Sequence, residues 1–174
     1  EGSVTLARAR ERLVMMEVES LQERQKQYHI PVYQVALVRE GTIKQMERPQ
    51  IRSSADGATV LRTFLGNTDR EHFVVLMLNA KNRIIGINNV STGSTTSSLV
   101  HPREVFKPAI LASAAAIICG HNHPSGDITP SGEDQALTKR LVEAGELLAI
   151  KVLDHIIVGD DGRYYSFADD SKMS

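Results

Sequence analysis

The 174-residue chain is poor in cysteine, in aromatic residues and in long apolar runs, and it has almost no excess of charge. One cysteine, Cys119, forms no internal disulfide, which fits a reducing cytosol. It also excludes Cys₄ and Cys₂His₂ zinc sites and the P-C-x-x-C signature of zinc deaminases. Aromatic residues make up 5% of the chain, too few for a stacking face that binds single-stranded nucleic acid. Lys and Arg number 20 against 21 Asp and Glu, a net charge of −1, so the chain is not a generally basic nucleic-acid binder, although a local patch stays open. No apolar run approaches the ~18–20 residues of a membrane span, and the first residues carry no secretory apolar core. The expectation is a cytoplasmic protein with no membrane partner. What remains is ordinary: 41% hydrophobic and 24% charged residues describe one globular domain, or one domain with an appendage.

The first ~27 residues predict an exposed helix, with Leu6, Leu13, Val14, Val18 and Leu21 at near-helical spacing among Arg, Glu and Gln. After Pro31, the run Val32 to Val38 predicts a strand, and residues 42–52 a connector. Residues 1–50 thus form a helical and strand extension to a domain over 54–174. Within that domain, Ser53 or Ser54 caps a short helix through Leu65 that Gly66 closes. Phe73–Leu78 and Ile84–Ile87 flank the turn-rich Asn79–Asn82 and predict a hairpin. Pro102 starts a helix, Ala114–Cys119 reads as a buried central strand, and Ser131 starts a helix running to about Leu148. Ile150–Val158 and Arg163–Phe167 are strands around the turn Asp160-Asp161-Gly162. The order is mixed α/β.

The most informative segment runs from Gly120 to Asp134. His121 and His123 are two apart, so on an extended chain both rings project from one face. Asp134 follows eleven residues later in the first turn of the next helix, and a loop of that length can return its carboxylate to the two imidazoles. Two imidazoles and a carboxylate suit Zn²⁺ and leave a fourth tetrahedral position for water. A plainer reading exists for part of this segment: Ser131-x-x-Asp134 is also an ordinary helix-capping box. The conjunction of H-x-H-P, a small-residue loop and P-S-x-x-D favours the metal. Competing motifs fail. There is no H-E-x-x-H helix, no G-x-x-x-x-G-K-[ST] phosphate loop and no G-x-S-x-G elbow, and the chain is too short for an amidohydrolase barrel.

H-x-H-P-x₆-S-x-x-D resembles the signature of JAMM (MPN/JAB) metalloproteins. Residues 69–79 (DREHFVVLMLN), 101–107 (HPREVFK), 121–127 (HNHPSGD) and 153–159 (LDHIIVG) resemble the RadC branch in particular. The likeness covers about Ser54 to Phe167, and residues 1–50 show no recognisable helix-hairpin-helix pattern. The resemblance implies a cytidine-deaminase-like α/β (α+β) fold, a curved mixed sheet sandwiched by helices, with an extra N-terminal helix and strand. It implies one zinc held by His121, His123 and Asp134. It implies Glu71 as the general base toward the attacking water and Ser131 as a donor to the oxyanion, in a metallopeptidase-like hydrolase that cleaves a peptide or isopeptide bond.

Other residues carry weaker signals. Glu104, three after His101, is an alternative base but equally a carboxylate placed to favour the helix dipole. Cys119 reads as a buried small hydrophobe rather than a ligand. The pair Asp154-His155 is either a structural pair or a partner of the metal-bound rings. Ser125 and Asp127 shape the loop, with Asp127 a spare ligand, and Thr92-Gly93-Ser94 lines the site. Arg103 and Lys107 form a solvated helix face by default. Two other function classes compete with the hydrolase. One is a DNA-associated protein, repair-linked or a nuclease, which the RadC family's traditional name evokes and this composition supports little. The other is a non-catalytic MPN interaction module, which the intact ligand set disfavours. The partner expected is a protein or peptide substrate, and the N-terminal helix is a candidate for homodimerisation.

Overall fold

The computed structural model describes residues 15, 31, 33–42, 50–66, 68, 70–93 and 100–173. The chain forms two compact units, Glu1–Val35 and Ala36–Ser174. Of the first unit, Met15 is helical and exposed, and the rest of the helix expected over residues 1–27 lies outside the described residues. A strand was expected over 32–38, but residues 33–42 take part in no strand, and Tyr33, Leu37 and Val38 are exposed. Apolar, β-branched sequence makes a strand only where a ladder partner is available, and none pairs with this stretch among the described residues.

In the second unit a first helix, α1, spans Ser54–Leu65. Its start is written in a capping box: the Ser53 hydroxyl accepts the Asp56 N–H, and the Asp56 carboxylate accepts the Ser53 N–H in return. Strands β1 (His72–Leu78) and β2 (Ile84–Thr92) form the hairpin expected around Asn79–Asn82. Helix α2 (Pro102–Leu111) opens with Pro at its first turn, where a missing N–H costs nothing. Strand β3 covers Ala116–Asn122, helix α3 covers Gly132–Leu148, and β4 (Lys151–Val158) and β5 (Tyr164–Ser166) close the chain.

The five strands make one mixed sheet in the order β2-β1-β3-β4-β5, with β3 and β4 parallel through the α3 crossover and all other pairs antiparallel. Both faces are covered. On one, Phe73, Val75, Met77, Ile117 and Cys119 pack with Val105 and Phe106 of α2 and Leu137 and Leu141 of α3. On the other, Val74, Leu76, Leu78, Ile118 and Ile156 pack with Ala58, Leu61 and Leu65 of α1. That is why β1 and β3 read as unbroken apolar runs: successive side chains enter opposite cores. Gly120 sits on the α1 face of β3, and a Cβ there would lie 2.5 Å from both methyl carbons of Leu61. Glycine at this position lets the helix lie directly on the strand. The result is a three-layer α/β domain whose sheet is central, with β3 and β4 at its middle.

Candidate metal centre

Strand β3 continues three residues past the apolar run, so His121 is still in the sheet and His123 is the first residue beyond it. The alternation that sends Ile117 and Cys119 toward α3 also sends His121 there, and the ring is almost completely buried. The chain then turns through Pro124 and Gly126, whose φ of +73° is a conformation glycine adopts without strain. Asp127 accepts the N–H and hydroxyl of Thr129 on its carboxylate, and this turn presents the Asp127 carbonyl to His123 Nδ1 at 2.6 Å. Ser131 caps α3, and Asp134 stands at the third position of that helix. The Asp134 carboxylate accepts the Ser131 N–H at 2.7 Å and the Ser131 hydroxyl at 2.6 Å, while Ser131 Oγ accepts the Asp134 N–H at 3.1 Å. The capping box and the metal reading are therefore one structure: the cap aims the carboxylate.

Donor atoms of His121, His123 and Asp134 all lie within 4.8 Å of one another. His121 Nε2 is 3.0 Å from His123 Nε2 and 3.3 Å from Asp134 Oδ1, and His123 Nε2 is 3.6 Å from Asp134 Oδ2. A carbonyl oxygen only accepts, so His123 donates from Nδ1 to Asp127, and its Nε2 faces the cluster, where the neutral ring presents a lone pair. Acceptors at this separation repel unless a proton or a cation sits among them. Donors bound to a tetrahedral ion at ~2.0–2.1 Å stand roughly 3.3 Å apart, which is the spacing found here. The cluster can hold a metal ion, and its chemistry and spacing fit one.

The electrostatics agree. Burial pushes the His121 ring down to about 4, so it is neutral at ordinary pH. The Asp134 carboxylate raises His123 above its ordinary value against partial burial, helped by the Asp127 carbonyl and the charge of Glu71. Burial works against the ionised form of Asp134, but hydrogen bonds from His123 and Ser131, with the His121 ring alongside, hold its carboxyl well below the usual carboxylate range.

Glu71 immediately precedes β1, in a segment held through its own carbonyl and through the residues on either side of it. Its own carbonyl accepts the Gly93 N–H at 3.1 Å, which brings the Thr92-Gly93 end of β2 beside it. Asn122 Oδ1 accepts the His72 N–H at 2.9 Å, and Asn122 Nδ2 donates to the Arg70 carbonyl at 2.9 Å and to Thr68 Oγ1 at 3.2 Å. Asn122, between the two histidines, thus points to the opposite side of β3 and holds the residues flanking Glu71. Ser94 lies outside the described residues.

The remaining candidates sort cleanly. Glu104 pairs with Lys107 at 2.6 Å and with Arg103 at 3.4 Å on an exposed face of α2, and the Lys107 ammonium holds its carboxyl below the ordinary range. Cys119 is fully buried in the α2/α3 core, where desolvation raises its thiol, and is no ligand of the cluster. Asp154 and His155 are split by the strand that carries both. Asp154 accepts from the His155 and Ala168 N–H groups and the Ser166 hydroxyl, a structural role far from the cluster's chemistry. His155 turns the other way, with Nε2 2.8 Å from His121 Nδ1 and Nδ1 2.6 Å from Thr138 Oγ1. Asn122 and Thr138 had not been singled out in the sequence. The only signal for Thr138 is its place one helical turn after Asp134.

Fold and site together define a sheet-centred α/β domain with a His-His-Asp cluster, able to hold a metal ion, where β3 meets the start of α3. A family model described as "RadC-like JAB domain" matches residues 51–173, and the chain belongs to that family. It is 54% identical over 126 residues to a UPF0758 protein of Rubrobacter xylanophilus, covering 72% of this chain and 55% of that one. It is 57% identical over 121 residues to a UPF0758 protein of Moorella thermoacetica, covering 70% and 52%. The chain spans about half the length of the curated relatives it matches. Among the described residues, no helix is long and apolar enough to cross a membrane.

Proposed function

We propose that this domain is a zinc-dependent hydrolase that cleaves a peptide or isopeptide bond in a protein or peptide substrate. The observation that carries the reading is the convergence of His121 Nε2, His123 Nε2 and the two Asp134 carboxylate oxygens at 3.0–3.6 Å, a nitrogen and oxygen donor set at the spacing of ligands around one ion. His121, His123 and Asp134 would hold the ion; zinc, when bound, supplies a Lewis acid that acidifies water and polarises a carbonyl.

The chain's own groups account for the rest. Glu71, whose negative charge is felt at His123, takes the proton of the attacking water and returns it to the leaving amine. Asn122 keeps that carboxylate in place by bonding the backbone on both sides of it. The Ser131 hydroxyl orients Asp134 at rest and turns its proton to the carbonyl oxygen as charge develops there; donors of this kind are worth ~2.7–4 kcal/mol in the barrier.

The test combines metal analysis with a peptide-library cleavage screen. The full chain is expected to carry one zinc and to cleave a subset of peptides. His123→Ala loses the metal, whereas Glu71→Ala keeps it and loses hydrolysis. Full activity in Glu71→Ala overturns the assignment of the base.

A further inference from the structure

His155 is a buried titratable side chain that the proposed chemistry does not use. Its ring lies between Phe73, at 5.4 Å between centroids, and Phe167, stacked at 5.0 Å with planes 9° apart. It is fully buried, and among the described residues its nitrogens meet only His121 and Thr138. With no carboxylate bonded to it in that apolar sandwich, the ring is neutral and carries a single N–H.

The hydrogen-bond directions follow from one end. Thr138 Oγ1 lies 2.6 Å from the backbone carbonyl of Asp134, one turn back on α3. A carbonyl only accepts, so the single hydroxyl proton of Thr138 points there. Toward His155, Thr138 then offers only lone pairs, so the proton of that 2.6 Å bond sits on His155 Nδ1. His155 Nε2 is left as an acceptor, and the 2.8 Å bond takes its proton from His121 Nδ1. His121 consequently turns a lone pair, not an N–H, from Nε2 into the cluster. The chain of bonds begins at one ligand of the cluster and ends on the main chain of another, tying β3 to α3 through β4.

We propose that His155, aligned by Thr138, is a positioning residue that locks His121 in the one tautomer able to bind the metal, a role that rests on the zinc reading above. The flanking phenyl rings keep the imidazole from swinging away, and the helical bond of Thr138 sets the direction of every proton between Asp134 and His121. Metal-bound histidines commonly donate their other N–H to a carboxylate, carbonyl or water; here the acceptor is a second imidazole, itself oriented by a hydroxyl.

The experiment measures zinc affinity of the full chain by competition with a chromophoric chelator, alongside nitrogen-15 NMR of the histidine rings in metal-free protein. His155→Leu is expected to weaken zinc binding ~10–100-fold. His155→Gln, whose amide can accept from His121 and donate to Thr138, should recover most of that loss. The wild-type spectrum should show His121 protonated at Nδ1 and bare at Nε2. Should His155→Leu fail to fold, Thr138→Val removes the aligning hydroxyl at constant shape and is expected to weaken binding in the same direction. Wild-type zinc affinity in a folded His155→Leu or Thr138→Val protein, or His121 protonated at Nε2, overturns the relay while leaving the zinc reading standing. A wild-type chain that takes up no zinc overturns the metal reading and the role built on it.

Discussion

The side-chain carbonyl of Asn122 accepts the backbone N–H of His72 at 2.9 Å, so the residue between the two histidines of the cluster is also the residue that fixes where β1 begins. Because its amide nitrogen donates to the Arg70 carbonyl, the two bonds straddle Glu71. Asn122→Ala strands His72 N–H and the Arg70 carbonyl in a part-buried setting, at a cost of about 1–3 kcal/mol of stability. Denaturant unfolding checks the stability. Metal analysis should find zinc retention unchanged, while hydrolysis of a working peptide falls because Glu71, the base proposed above, is loosened. Asn122→Asp keeps the acceptor toward His72 but sets a carboxylate oxygen against the Arg70 carbonyl, so it should not recover the stability lost in Asn122→Ala.

Zinc uptake should depend on pH through a single proton over most of the acid range. His123, raised by Asp134, is the ligand that protonates first as pH falls from neutrality. His121, pushed down to about 4, and Asp134, held lower than an ordinary carboxylate, stay deprotonated until much lower pH. A protonated imidazole cannot ligate, so below the His123 pKa the affinity falls about tenfold per pH unit, and no faster until pH nears 4. Chelator competition from neutral pH down to about 5 measures the slope. A slope of two across that window would mean that His121 titrates with His123.

Gly120→Ala should destabilise the fold without touching the side of β3 that carries His121. The added methyl would lie 2.5 Å from Leu61, a fully buried side chain of α1, and overpacking of this kind costs roughly 1–3 kcal/mol. Thermal unfolding reads the loss. Leu61→Ala in the same chain makes room for the methyl, so the double variant should be more stable than the two separate losses added together.

Asp154 separates structure from chemistry on β4. Its Oδ1 accepts two backbone N–H groups and its Oδ2 accepts the Ser166 hydroxyl, a rotor that can reverse and accept. Asp154→Asn should therefore fold with near-native stability if the amide nitrogen faces Ser166, whereas Asp154→Ala leaves those donors without an acceptor and costs about 1–3 kcal/mol. Both variants should bind zinc as wild type does once folded, since the carboxylate does not face the cluster. Unfolding curves and zinc titrations on the two variants check this.

The parts legible in the sequence were those written in short-range pattern. Ser53 or Ser54, and Ser131, announced two helix starts and Pro102 a third; the apolar run of β1 announced one arm of a hairpin, and that of β3 a buried central strand. His121, His123 and Asp134 were legible because strand alternation and a capping box place them without knowledge of the rest of the fold. Asn122 and Thr138 were not, because each acts across elements: Asn122 on the segment before β1, Thr138 on β4. The sequence does not divide the pair Asp154-His155, since which neighbour faces the cluster depends on the register of β4 against β3, where Ile118 pairs with Asp154 and Cys119 with His155. The extent of β3 was also underread, because Gly120-His121-Asn122 carries little strand propensity and is held in the sheet by β1 and β4. Residues 33–38 show the converse, strand-like composition without a ladder to join among the described residues.

The most direct measurement is the zinc stoichiometry of the metal-stripped full chain after incubation with excess zinc and dialysis, read beside His123→Ala and Asp134→Ala treated identically. One zinc per wild-type chain, and none in either folded variant, is the result this account predicts. A wild-type chain that returns from dialysis without zinc, or variants that keep as much as wild type, would contradict it.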